Sequence, residues 1–373
     1  MVSDLKSTIY TRLAKLNYYY FVDQMNKGIR NGDLLLKALM FNQKAIDLEP
    51  SFINYNNRAE IYNFSAKAKI NWGGDPESEI ENSIKASEQT LKLSDYNNVF
   101  VYNTLVTSLD IRMRHQLNIG VDTTDSFNSA VEYYDKALSL DDTNDYSKLY
   151  LMVNNSNLYN NQIRNQILRN LDFQSLFETV VEILFEIQKI NENEPISRAV
   201  LAESYLLMAQ NTEAEDSLKY INLSLKSVNK ANELMKDIGD FVALEGYIRG
   251  YKEVIKEKVL NESPDFTLSI EMFERGVELD PSAIDIYSDY AEICLLAAQA
   301  SGNKIDAKKL LLKGLKMADK AVEINTDYSY GYLQKTKIID FALRKKVDIP
   351  FTQKDADEAF EKAKSINPLL KRN

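Results

Sequence analysis

Apolar residues recur along this chain at helical spacing, with polar residues filling the opposite face. Leu310, Leu311, Leu315, Met317, Ala318, Ala321 and Val322 step by three and four, with Lys and Asp between them, and predict one amphipathic helix. Residues Ile284 to Ala300 carry a second such run, closed by Ser301-Gly302-Asn303. Alternation of period two, the mark of a half-buried strand, is not the prevailing pattern.

The same helix ending returns through the sequence in variants of one seven-residue phrase. It reads KAIDLEP at 44–50, QTLKLSD at 89–95, KALSLDD at 136–142, EIQKINE at 186–192, KANELMK at 230–236, RGVELDP at 275–281, KAVEINT at 320–326 and KAKSINP at 362–368. Its second position falls at Ala45, Thr90, Ala137, Ile187, Ala231, Gly276, Ala321 and Ala363, in steps of 45, 47, 50, 44, 45, 45 and 42 residues. A period held so closely is the signature of a repeat array.

Each part of the phrase has a physical reason. A small side chain lets a neighbouring helix approach to the roughly 8–10 Å at which helices pack. Proline cannot continue a helix and pushes its predecessor out of the helical region, so Glu49-Pro50, Asp280-Pro281 and Asn367-Pro368 mark helix ends. Turn residues such as Gly73-Gly74-Asp75-Pro76, 120–125, 261–265 and 348–352 separate the helices within units, with Asp75 expected as an N-cap and Pro76 as the first helical residue.

These features predict an all-α fold class. The expected architecture is an α-solenoid of about eight helix-turn-helix units in a right-handed superhelix, a single repeat domain over 1–373 with units ending near 50, 95, 142, 192, 236, 281, 326 and 368. The first helix is expected over roughly Leu5 to Ile29. No capping helix follows the last phrase, so self-association through the C-terminal end is expected.

The units resemble tetratricopeptide repeats (TPRs), whose second helices end in a similar phrase. Tyr55-Asn56-Asn57-Arg58-Ala59-Glu60-Ile61-Tyr62 is similar to the first helix of such a repeat, with Tyr55, Ala59 and Tyr62 at the packing positions, and Leu201, Ala202 and Tyr205 form a second match. The period near 45 exceeds the usual 34 or so of that family, which calls for longer helices. Long repeats with a loop like Gly74-Asp75-Pro76 also resemble those attached to bacterial eukaryotic-like serine/threonine kinases. The kinase signatures themselves are missing, so the chain is not expected to be an enzyme.

The resemblance implies a protein-interaction scaffold that binds a peptide or helix of a partner protein in a concave groove, with Asn56, Asn57 and Glu60 as binding residues. The alternative it implies is a non-catalytic regulatory or spacer arm of a larger signalling protein, such as a bacterial kinase. Asn57 matches the asparagine with which clamp-type members hold a C-terminal carboxylate. The third unit's first helix, from Val101 to Leu109, lacks the cations such a clamp needs.

Composition narrows the remaining classes. Only 12 Gly and 7 Pro in 373 residues leave few tight turns for an all-β or dinucleotide-binding fold. A net charge of −10 argues against a phosphate-neutralising surface, so no nucleic-acid partner is expected. The balance is uneven: 0 over residues 1–100, −16 over 101–300 and +6 over 301–373. Solvated helix faces account for such a pattern, and steering of a basic ligand toward the acidic middle is the functional alternative. No apolar run of membrane-spanning length and no secretory leader are evident, so a cytoplasmic protein is expected.

Single copies of the reactive residues limit the chemistry. With one Cys and one His there is no disulfide and no Cys- or His-clustered metal site, and no cofactor is expected. His115 reads as a surface or helix-end residue and Cys294, between Ile293 and Leu295, as a small core residue. Asp141 to Asp145 lacks the Gly and Glu of a calcium loop and reads as a turn. Gly246 and Gly250 lack phosphate-loop spacing and read as helix-packing positions. Trp72 reads as packing over its turn, and Tyr18-Tyr19-Tyr20 cannot all face one side of a helix.

Overall fold

The computed structural model describes residues 2–140 and 145–372. Those residues form sixteen α-helices and no strand: α1 Val2–Asn26, α2 Gly32–Leu48, α3 Phe52–Trp72, α4 Glu77–Leu93, α5 Val99–Ile119, α6 Thr124–Leu138, α7 Asp145–Arg169, α8 Gln174–Ile190, α9 Pro195–Gln210, α10 Ala214–Leu234, α11 Gly239–Leu260, α12 Thr267–Leu279, α13 Ile284–Ala300, α14 Lys304–Ile324, α15 Ser329–Lys345 and α16 Gln353–Ile366. The chain divides into two compact units, residues 1–115 with 123–162, and residues 116–122 with 163–373. Consecutive helices pack as pairs in each, α1 on α2 and α3 on α4 in the first, and α9 on α10, α11 on α12, α13 on α14 and α15 on α16 in the second.

The repeated phrase does in space what its composition predicts. In seven of its eight copies the even-numbered helix stops on the fifth residue of the phrase, and at KALSLDD it stops two residues sooner, at Leu138. The carbonyl at the second position accepts the final helical hydrogen bond from the capping residue, as in Glu49 N–H to Ala45 (2.9 Å), Asn191 to Ile187 (2.8 Å), Asp280 to Gly276 (2.9 Å) and Asn367 to Ala363 (2.8 Å). Ala45, Thr90, Ala137, Ile187, Ala231, Ala321 and Ala363 are wholly buried at that position.

Close approach requires glycine where α11 meets its neighbours. A Cβ at Gly250 would run into Ile293 Cδ1 and Ser269 Oγ, and one at Gly246 would press on Met272 and the Ser269 carbonyl. These glycines serve packing, as their spacing suggested. Around them, Phe273 stacks on Tyr290 with centroids 5.2 Å apart in a core that includes Ile221, Ile248, Ile293 and Cys294.

Local readings at the N-terminal end are refined. Tyr18 is buried against Phe64, whereas Tyr19 and Tyr20 are exposed. Trp72 meets Phe21 edge-on at 5.9 Å, and the Arg30 guanidinium lies 5.8 Å from its ring. Asp75 accepts from the Glu77 N–H at 3.0 Å, but α4 begins after Pro76 rather than on it. Asp141 to Asn144 lie outside the described residues.

The expected sticky C-terminal end is not what the structure presents. Among the described residues no large hydrophobic beyond Leu312 is exposed, and Leu370 is buried against Leu333 and Ala363. The exposed residues of α16 are mostly Asp, Glu and Lys. Exposed apolar side chains gather instead on α1 and α2, including Leu5, Leu16 and Leu36.

Candidate functional site

In the first unit, odd-numbered helices bring together part of the predicted binding set. Asn56 Nδ2 donates to Glu60 Oε1 at 3.0 Å, and Thr104 on α5 donates to Asn56 Oδ1 at 3.3 Å. Burial pushes the Glu60 carboxyl upward, against the pull of Lys15 and of the Asn56 hydrogen bond. Asn57 does not join them: it is buried inside the helix packing, and its Nδ2 has no acceptor. Lys67 on α3 lies further along, its ammonium pushed downward by burial and by Arg114 against the pull of Asp110. This face is mixed in charge and rich in amides, with Asn154 donating to Asn103 at 2.8 Å and Asn161 to Asp110 at 2.8 Å.

A second cluster lies in the second unit, and sequence reading did not single it out. Helix α13 is buried along most of its length. Asp285, Asp289 and Glu292, spaced four and three residues apart, form its one acidic stripe, with Asp285 and Asp289 exposed. Exposure here does not mean open surface, because side chains of four other odd-numbered elements face the stripe. Arg164 of α7, Glu203 of α9 and Tyr247 of α11 lie within electrostatic reach. Tyr328, immediately before α15, donates to Asp285 at 2.7 Å. The carboxylates line a solvent-reached hollow.

Electrostatics in the hollow are set by an excess of carboxylate. Arg164 pairs with Glu203; burial alone would lower its pKa, but Glu203, with Asp285 and Asp289, outweighs that and raises it. Burial, then Asp285 and Glu292, push the Asp289 carboxyl well above the usual carboxylate range despite Arg164. Burial and the charges of Glu292 and Asp289 likewise raise the Tyr247 phenol. Tyr330 is raised to about 12, chiefly by burial. On the far side of the stripe Gln334, 5% exposed, donates to Glu292 Oε2 at 3.2 Å, while its own Oε1 accepts nothing.

The hollow is held in place by a long-range staple within the same unit. Asn118 donates to the Asp327 carbonyl at 2.8 Å and accepts from the Ser329 N–H at 3.0 Å, and Asn367 donates to the Leu117 carbonyl at 3.0 Å. Gly120 makes the turn possible: its φ is +73°, and a Cβ there would strike Asn367 Oδ1. Arg169 of α7 donates to the Gly120 carbonyl at 3.2 Å, tying the first helix of the hollow to the last.

Two further residues singled out in the sequence are His115 and Cys294. His115 lies 3.8 Å from Asp75, partly buried, and burial lowers its pKa despite Asp75 and Glu77. Cys294 is fully buried, and burial pushes its thiol up to about 12. Among the described residues no three His, Cys, Asp or Glu side chains are grouped to hold a metal ion, and no helix is long and apolar enough to cross a membrane.

No protein family matches the sequence, and neither does any curated protein. Solved structures do match. Two structures of an IFIT1 monomeric mutant, one with m7Gppp-AAAA and one with Gppp-AAAA, align at TM-score 0.52 and 13% identity, over 90% of this chain and 68% of theirs. A thermophilic TPR protein of Thermus thermophilus aligns over 56% of this chain and 92% of its own, at 15% identity and TM-score 0.36. The two alignments at TM-score 0.52 agree with the paired-helix, TPR-like α-solenoid that the sixteen helices form.

The comparison corrects one expectation. Structures similar to this chain hold m7Gppp-AAAA and Gppp-AAAA, so net acidity is not a ground for setting nucleic acid aside as a partner. The physical reason is that phosphate contacts depend on local cations and not on the total.

Proposed function

We propose that the chain is a non-enzymatic protein-interaction scaffold whose odd-numbered helices hold an extended segment of a partner protein. The observation that carries this reading is the hollow of the second unit, where Arg164, Glu203 and Asp289 reach solvent and the buried Tyr247 and Tyr328 lie within electrostatic reach of Asp289, from five successive odd-numbered elements. Repeat arrays use such surfaces for extended ligands, because each unit adds one register of side chains. Asn56 and Glu60 extend the reading to the first unit, with Asn57 packed behind them. Neither the reactive residues nor a metal-ligating group supplies a reaction, and on this reading the chain works in the cytosol without a cofactor.

The test is capture of partners by the purified chain from cell lysate, beside Asn56→Ala/Glu60→Ala and Asp289→Asn/Glu292→Gln variants, with and without ribonuclease. A protein enriched on the native chain and lost on either variant supports the scaffold. Equal enrichment on all three, or enrichment abolished by ribonuclease, overturns it, the latter in favour of RNA.

A further inference from the structure

We infer that the first unit pairs with a second copy of this chain, α1 against α1 in antiparallel, around a twofold axis between Leu16 and Tyr19. The inference does not depend on the scaffold reading.

The ground is a second seam on α1 that the fold leaves uncovered. Ala14, Tyr18, Phe21 and Met25 bury one side of the helix in a core with Leu34 of α2 and Ile61 of α3. Leu5, Ile9, Arg12, Leu16, Tyr19 and Asp23 are exposed on another side, in steps of four, three, four, three and four. That is the spacing with which one helix packs along another in a coiled coil, these residues falling alternately at its d and a positions. Leu16 is 65% exposed at the middle of the seam, and Tyr20 stands exposed beside it. Apolar surface of this extent, interrupted and flanked by charge, marks a contact with another molecule.

Charge names the occupant. Arg12 has no carboxylate partner among the described residues, and Asp23 holds Lys27, four residues on, in an exposed pair at 2.8 Å. In antiparallel register about the axis, Arg12 meets Asp23 of the second copy and Leu16 meets Tyr19, and both contacts repeat on the other side of the axis. One heptad of slip toward the N-termini would set Arg12 on Leu16 and Asp23 on Leu5. A parallel pair would set Arg12 on Arg12 and Asp23 on Asp23. The seam is complementary to itself in one orientation and one register, as an isologous contact requires. Leu5 and Ile9 run on toward the turn after α1 of the second copy, where Ile29 is exposed.

Size and the alternatives agree with that occupant. Helices α1 and α2, of 25 and 17 residues, lie side by side, and Met40 of α2 is exposed. At 1.5 Å rise per residue and about 10 Å width they present about 600 Å² per copy, at the lower end of the roughly 1,200–2,000 Å² in total that a specific interface buries. Head-to-tail stacking would set this seam on α16, whose exposed residues are mostly Asp, Glu and Lys. Head-to-head pairing covers both seams at once and stops at two copies.

The experiment is sedimentation equilibrium of the full chain from about 1 to about 100 μM, the range of modest interfaces. The expected result is a species of twice the 42.7 kDa chain mass at the upper concentrations. Leu16→Glu, at the centre of the seam, is expected to weaken pairing about a hundredfold. Arg12→Glu and Asp23→Lys are each expected to weaken it about tenfold, and the double exchange Arg12→Glu/Asp23→Lys to restore it to within about threefold of native. Ile305→Glu, at a side chain 68% exposed in the second unit, is the control and is expected to change nothing. Thermal unfolding shows whether each variant is folded.

A native chain that stays monomeric, assembly that continues past two copies, an effect of Ile305→Glu equal to that of Leu16→Glu, or a folded double exchange that fails to restore pairing would each overturn the inference. A monomer that takes another protein onto the seam overturns it as well, and assigns α1 to that partner.

Discussion

Asn118 and Ser329, 211 residues apart in sequence, are joined by three hydrogen bonds: the Ser329 N–H donates to Asn118 Oδ1 at 3.0 Å, and its hydroxyl donates to Asn118 O at 2.8 Å and to Oδ1 at 3.0 Å. Repeat arrays are normally stabilised by neighbours alone, so a contact spanning this distance makes the second unit more cooperative than its repeat number implies. Asn118→Ala removes the side-chain partner of Ser329 and of the Asp327 carbonyl, and is expected to cost about 2 kcal/mol. Urea unfolding measures the loss, and hydrogen exchange should show it concentrated at residues 327–329. A loss spread evenly over the chain would contradict the staple.

Gly250 and Gly302 make a paired test of packing. Alanine at Gly250 must displace Ile293 and Ser269, whereas alanine at Gly302 meets nothing within 4 Å. Gly250→Ala is expected to lower stability by about 1–3 kcal/mol through overpacking, with Gly302→Ala unchanged within about 0.5 kcal/mol. Thermal unfolding of the two variants side by side decides the point.

The phrase ending at Asp280-Pro281 and its seven relatives made the helix ends legible, because capping depends on residues adjacent in sequence. Cys294 was legible from the apolar run it sits in, between Ile293 and Leu295. The hollow was not. Its charge excess was present in the −16 of residues 101–300 and in the Asp285, Asp289, Glu292 spacing. That these residues face Arg164 from three repeats away depends on the curvature of the unit, to which no local pattern is sensitive. Asn57 lies on another side of its helix from Asn56. Its neighbours resemble a groove-lining stretch, but one residue of helical rotation separates Asn56, on the face with Glu60, from Asn57 in the packing.

Cys294 supplies a direct probe of the second unit. Burial holds its thiol up to about 12, with Glu274 adding to the shift and Lys313 opposing it. Thiolate, the reactive form, is therefore scarce at neutral pH, and the sulfur is out of reach besides. Alkylation of the native chain by iodoacetamide at pH 8 is expected to be at least a hundredfold slower than in denaturant. Rapid labelling of the native chain would show that α13 opens readily.

Asp289 gives the pH dependence its sign. Its folded pKa is raised by burial, Asp285 and Glu292, with Glu203 adding and Arg164 of α7 opposing; Tyr247 of α11 and Tyr328 beside α15 complete its surroundings and stay protonated below their own raised values. A carboxyl whose folded pKa exceeds its unfolded one destabilises the fold while ionised. The penalty is full above the folded pKa and disappears as pH falls through that value toward the unfolded one. Asp289→Asn removes the charge and keeps the shape, so it is expected to raise the midpoint of thermal unfolding at pH 8 and to leave it unchanged near pH 4. Thermal unfolding of the native chain and of Asp289→Asn at pH 4 and pH 8 measures the difference, and equal midpoints at pH 8 would show that the Asp289 charge costs the fold nothing.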